Sequence, residues 1–162
     1  MPTMPILTFE AAGNLARVLE SFLENSEASF SLIIDRGGAV LGEQGQIPSS
    51  IDPTILAALA AGSFAATREL ALRVGESEFS ALHQQGKQSQ ILMSAINDDA
   101  VLVTVFGPKT TLGLVRFYSA RAVKQIAVVL ERACGESQIP IDLGSELANG
   151  FRDIFKEPTS RA

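Results

Sequence analysis

Residues 51–75 read IDPTILAALAAGSFAATRELALRVG, and how this stretch divides its apolar residues between two sides decides how the rest of the chain is arranged. Asp52 suits the cap of a first helical turn and Pro53 the first helical position. Gly75 suits the left-handed residue that ends such a helix. At about 100° per residue, Leu56, Leu59, Ala60, Ser63, Phe64, Thr67, Leu70, Ala71 and Val74 fall on one side, the expected core face.

The opposite side carries Ala57, Ala58, Ala61, Gly62, Ala65 and Leu72, with charge only at Arg68, Glu69 and Arg73. A solvated helix places Lys, Glu and Arg outward, so a smooth strip of alanine and glycine points to close approach by another surface. Alanine is also the best helix former, but propensity alone would accept Lys or Glu nearly as well. The uncharged run from Thr54 to Thr67 is shorter than the ~20 residues a membrane span needs, so no membrane insertion is expected.

Working outward, 162 residues with 46% apolar content suggest one domain with a substantial core. The N-terminus lacks the pattern of a signal peptide, and a cytoplasmic location is the expectation. One cysteine, Cys134, rules out a disulfide within the chain, and one histidine, His83, leaves a zinc site short of ligands. A net charge of -5 without a Lys/Arg cluster argues against a nucleic-acid surface.

N-terminal to the opening stretch, Phe9, Leu15, Val18, Leu19 and Phe22 predict an amphipathic helix ending near 24–26. Phe30, Leu32 and Ile34 alternate with Ser31, Ile33 and Asp35 as a strand, Asp35-Arg36-Gly37-Gly38 is a tight turn, and 39–44 is a second strand. C-terminal to it, 76–85 reads as a connector whose Phe79 and Leu82 tuck under the sheet. Residues 87–96 read as a third strand, 100–106 (AVLVTVF) as a central strand apolar on both faces, and 111–118 as a fifth. Ser119 is expected to cap a last long helix with Val123, Ile126, Ala127, Leu130 and Ala133 buried, ended by Gly135.

The expected class is thus α/β (α+β): a five-stranded antiparallel sheet sandwiched between helices in the order α-β-β-α-β-β-β-α. The domain covers 1–136. A tail, 137–162, carries Leu147, Phe151, Ile154 and Phe155 at the spacing of a short amphipathic helix.

Catalytic and cofactor chemistry finds little support. Gly107-Pro108-Lys109-Thr110 lacks the glycine that precedes the lysine of a phosphate-binding loop, and its flanks read strand to strand. Asp98-Asp99 reads as a solvated turn, and His83 has no nucleophile elbow to serve. No metal, cofactor or catalytic residue is expected, and the chain is read as a protein that is not itself an enzyme.

The hairpin LIIDRGGAVL, the helix LAAGSFAATRELA, GESEF followed by HQQG, and DDAVLVTVF followed by LGLVRFY stand in an order that resembles the Roadblock/dynein light-chain superfamily, within it the bacterial MglB-like branch. The likeness runs from about Ser29 to Gly135 and implies the same element order. It implies a homodimer, with a higher oligomer open, in which the third strand pairs with its copy and the second helices lie side by side. Carried onto this chain, 87–95 becomes the edge strand, and Phe64, Ser89, Ile91 and Met93 fall at the dimer interface.

The resemblance further implies a Ras-like small GTPase (MglA-like) as partner, in cell polarity and motility. Its contacts fall on Ala57, Ala58, Ala61, Gly62, Ala65, Arg68, Glu69 and Leu72. Arg68 is the obvious arginine finger, but MglB-like proteins are expected to hold the GTPase's switch region while the GTPase brings its own arginine and glutamine. A non-activating Roadblock scaffold is the alternative. A sensory module binding a small ligand between sheet and helix has less support.

Overall fold

Thr8 opens the first helix, α1 (Phe9–Ser26): its hydroxyl accepts from the Ala11 amide at 3.1 Å, and Leu15, Leu19 and Phe22 follow at helical spacing into the core. The computed structural model describes residues 7–137, and the segment expected to form a C-terminal amphipathic helix lies outside them. After α1 come β1 (Phe30–Asp35), β2 (Val40–Gly45), α2 (Pro53–Arg73), β3 (Ala81–Gln85), β4 (Gln90–Ala95), β5 (Ala100–Phe106) and α3 (Leu112–Ser137).

The sheet is antiparallel in the order β2-β1-β5-β4-β3. Period two divides its side chains. Ile33, Leu92, Leu102 and Phe106 point toward α1 and α3, while Leu32, Ile34, Met93, Val101 and Val103 point toward α2. The central strands β1 and β5 are buried almost throughout, as strands covered on both faces must be.

The element order matches the sequence expectation, but two assignments move. Ala81–Gln85, expected as connector, is β3; and the run expected as the fifth strand, 111–118, is the first two turns of α3. Thr111 explains the second change. Its hydroxyl accepts from the Leu114 amide at 3.3 Å and its carbonyl accepts from Val115, so a helix starts here and Ser119, expected to cap, is buried within it. The turn 107–110 consequently joins strand to helix. Val103 and Pro108 nonetheless occupy the two glycine positions of a phosphate-binding loop.

The two sheet edges differ. Over β2, a Cβ on Gly42 would lie 3.8 Å from Leu19 Cδ1 and 3.9 Å from Leu15 Cβ, which places α1 across that edge, and the β1–β2 register shifts at Ile33/Ile34. β3 is the other edge, bonded only to β4. The third strand expected at 87–96 is therefore interior rather than an edge: its ordered part, β4, lies between β3 and β5.

α2 is 21 residues long, with a window of mean hydropathy 1.4, enough by length and composition to cross a membrane; 33% of that window is buried in the fold. Exclusion by the length of its charge-free run does not hold. What makes α2 a layer of this domain is the side it packs on the sheet.

Candidate functional site

That buried side is not the expected one. Ala57, Ala60, Ala61, Phe64, Thr67 and Ala71 face inward, whereas Leu59, Leu70 and Val74, expected in the core, are 68%, 61% and 69% exposed. The cause is closeness. On the β1–β2 turn, Gly38 has φ +91, and a Cβ there would stand 2.9 Å from Ala58 Cα, so the first half of α2 rests almost against backbone and the small Ala57 and Ala61 fit beneath it. Ala57 at 0% and Ala61 at 7% exposure thus lie inside the molecule, which removes both from the expected docking face.

Phe64 is buried too. The Arg36 guanidinium lies 5.7 Å from its ring centroid, and Arg36 Nη2 donates to the Asn97 carbonyl at 3.1 Å, so the β1–β2 turn, the β4–β5 turn and α2 are tied together there. Of the other residues expected at a dimer interface, Met93 is 2% exposed in the core under α2, Ile91 is half-buried, and Ser89 is exposed beside the turn between β3 and β4. Phe64 and Met93 pack within this chain and are not available to a second copy.

The outer side of α2 divides into two flanks. Gln84 Nε2 of β3 donates to Ser63 Oγ at 3.5 Å, which marks the flank toward the free edge. Leu59, Ala66, Leu70 and Val74 share this flank by helical projection and are exposed. The flank toward the β1–β2 turn, marked by Ala58 against Gly38, carries Ala58, Gly62, Ala65, Arg68, Glu69 and Leu72, all exposed. A Cβ on Gly62 would meet nothing within 4 Å, so this flank is open. Ile55, 58% exposed, lies on the crest between the two.

Six of the eight residues expected to contact a GTPase therefore share one exposed strip. The apolar residues that sequence reasoning missed are Ile55, Leu59, Leu70 and Val74. The sign was present, because no projection of 51–75 buries both its leucines and its alanines, so one set had to face outward.

The site carries shape and little chemistry. Among the described residues no cluster of three or more His, Cys, Asp or Glu is placed to hold a metal ion, and Cys134 is an exposed thiol on α3. A groove of about 200 Å³ lies between α1 and α3, lined by Ser21, Asn25, Tyr118, Arg121 and Gln125 among others, not between sheet and helix where a sensory ligand was considered.

The Roadblock/LC7 domain model matches residues 15–106. Among solved structures, an MglB described as having a tetrameric arrangement is 30% identical, with a TM-score of 0.77 over 82% of this chain and 99% of that one. The gliding protein MglB from Thermus thermophilus is 30% identical, with a TM-score of 0.76 over 82% and 99%. MglB of Myxococcus xanthus is 29% identical, with a TM-score of 0.73 over 79% and 96%. By the span of the domain match and by the shared arrangement of sheet and helices, the chain belongs to the Roadblock/LC7 family.

Proposed function

We propose that this chain is an MglB-like homodimeric regulator that binds a Ras-like small GTPase and stimulates its GTP hydrolysis by holding the switch region. One observation carries the reading: α2 turns its leucines toward a free sheet edge and an open strip of small residues away from it. Two unpartnered surfaces of different character suit two different partners.

The edge-ward flank, with Leu59, Leu70 and Val74 beside β3, suits a second copy, because a copy related by a two-fold axis satisfies strand and helix together. The likeness to an MglB of tetrameric arrangement supports assembly of this chain with itself. The other flank, Ala58, Gly62, Ala65, Arg68, Glu69 and Leu72, suits the GTPase. Small side chains let a protruding loop come close, and Arg68 and Glu69 give polar contact at one end.

Stimulation then needs differential binding of one switch conformation, not reactive groups on the activator. Arg68, exposed near the margin of the strip, is assigned a polar contact rather than the role of an arginine finger. The protein itself turns over nothing.

Phosphate release from a GTP-loaded MglA-like GTPase, measured with and without the protein, tests this reading. Ala65→Arg is expected to abolish binding and stimulation while the homodimer persists, and Arg68→Ala to reduce stimulation only about two- to fivefold, the loss of a single exposed polar contact. Loss of all stimulation by Arg68→Ala, with binding intact, would show an arginine finger instead. Binding without stimulation in the unaltered protein would identify a scaffold.

A further inference from the structure

α3 carries a second stripe besides the one it buries. Leu114, Phe117, Arg121, Lys124 and Val128 follow one another at spacings of three, four, three and four residues, and all are exposed. Helical projection gathers them into an arc of about 80°, turned away from Val115, Ile126 and Leu130 in the core. That spacing is the seam along which a second helix lies. Phe117 is held in place there: its ring meets that of Tyr118 edge-on, with centroids 5.1 Å apart, and Tyr118 lines the groove between α1 and α3.

The stripe is apolar at its two ends and basic between them. From Leu112 to Val128 the charged residues of α3 are Arg116, Arg121 and Lys124, so this length of helix has no carboxylate. It suits a covering helix that is both apolar and acidic. α2, with both its flanks, packs on the other face of the sheet and does not reach it.

The chain itself supplies such a segment directly after α3. Within 138–162, Leu147, Phe151, Ile154 and Phe155 stand at helical spacing, and Glu146, Asp153 and Glu157 project together along one flank of that apolar row. Ser145 suits the cap of a first turn, and Pro158 suits a stop after Glu157. We propose that residues 145–157 form a helix that folds back and lies antiparallel on the outer stripe of α3 in its own chain. The proposal stands apart from the homodimer and GTPase readings, since it uses neither the sheet edge nor α2.

Length and reach fix the direction. Thirteen helical residues are about 20 Å long, against about 16 Å from Phe117 to Val128 along α3. Val128 lies nine residues, about 14 Å, back from the end of α3 at Ser137. Residues 138–144 span up to ~23 Å when extended, with Pro140 and Gly144 to turn the chain, so Ser145 can start beside the last turns of α3. An antiparallel course from there brings Leu147 near Val128, Asp153 near Lys124, and Ile154 and Phe155 toward Phe117. A parallel course would have to start beside Phe117, about 30 Å back, beyond that reach.

Spin labelling of the full chain tests the contact. In a Cys134→Ser background, which removes the exposed native thiol, Lys156→Cys puts a nitroxide on the side of the segment opposite its apolar row. The label is expected to attenuate the amide signals of 117–128, reversibly on reduction of the nitroxide, and to leave those of α2 near full intensity. Phe151→Asp is expected to restore the α3 signals. Phe117→Asp, at an exposed position that the fold does not need, is expected to do the same from the other side of the contact, and Lys124→Glu to restore them in part.

Mixing the labelled chain with unlabelled, isotope-enriched chain separates a contact within one chain from a contact between copies. Attenuation on α3 of the enriched chain would give the stripe to another copy's tail and overturn the proposal. Even attenuation over the whole domain, attenuation centred on α2 or β3, or a pattern that survives both Phe117→Asp and Phe151→Asp would overturn it as well. Each of these results leaves the proposed GTPase and dimer surfaces where they are.

Discussion

The two helical layers of this molecule follow opposite rules. On one side of the sheet α1 and α3 bury Leu15, Leu19, Phe22, Val115, Ile126 and Leu130, and Glu20, Glu24, Arg121 and Lys124 face solvent. On the other side α2 buries Ala57, Ala60, Ala61 and Ala71 around a single large residue, Phe64, and exposes its leucines. Exposed apolar residues occur on α3 as well: Leu114, Phe117 and Val128 are 37%, 58% and 47% exposed. There, however, Arg116, Arg121 and Lys124 interrupt them, whereas on α2 the exposed Ile55 and Leu59 lie in a run without charge from Thr54 to Thr67. A layer made for one chain puts its bulk inward; α2 leaves bulk outward, where the proposed second copy would cover it.

The sharpest way to break this comparison is to delete the same side chain from each kind of position. Leu102→Ala, in the central strand at 0% exposure, is expected to cost about 2–5 kcal/mol of unfolding free energy. Leu59→Ala removes the same atoms from a position 68% exposed and is expected to leave the dilute single chain within about 0.5 kcal/mol of the unaltered one. Its cost appears only as protein concentration rises through the range of assembly. Denaturant titrations at several concentrations measure both, and equal losses in dilute protein would mean that Leu59 is a core residue after all.

A smaller effect separates the two sides of α2 by means of glycine. Gly38→Ala sets a methyl group 2.9 Å from Ala58 Cα at φ +91, and is expected to cost about 1–3 kcal/mol, because the turn or the helix backbone must shift to make room. Gly62→Ala is the counterpart on the open strip, where a Cβ meets nothing within 4 Å. It is expected to stabilise the isolated domain by about 0.5–1 kcal/mol while weakening partner binding, a pairing that thermal unfolding and a binding titration read separately. Stabilisation with unchanged binding would place the GTPase elsewhere.

The periodic elements are legible in the sequence because one chain is enough to explain them. In α1 the apolar residues follow the helical period, β1 and β5 are short apolar runs bounded by turns, and the structure keeps those boundaries within one or two residues. Projection inverts the faces of α2 because it sorts residues by bulk and assigns the larger set inward. Here the distance to the β1–β2 turn selects alanine instead, and no local pattern encodes that distance. β3 reads as connector because Ala81-Leu82-His83-Gln84-Gln85 is short and polar, as an edge strand is. LGLVRFY reads as strand because Leu114, Arg116 and Tyr118 alternate with Val115 and Phe117 as well as they fit a helix. Thr111 and the register of Val115, Ser119, Ala122 and Ile126 decide for the helix. Of the site, six of the eight residues expected to face a GTPase lie on the exposed strip because a row of small residues reads the same on either side of its own boundary.

The smallest expected effect concerns how α2 begins. Asp52 Oδ1 accepts from the Thr54 amide at 2.9 Å, and Pro53 follows at the first helical position, so the start of the helix is fixed locally, outside either flank. Asp52→Ala removes this acceptor from an exposed position and is expected to cost about 1 kcal/mol of stability. Because the cap touches neither the edge-ward leucines nor the open strip, assembly and GTPase binding are expected to stay unchanged once the domain is folded. A loss of dimer larger than the loss of stability would mean that the first turn of α2, with Ile55 on its crest, belongs to the contact between copies. The boundary between the two flanks would then have to be drawn one helical turn nearer the N-terminus.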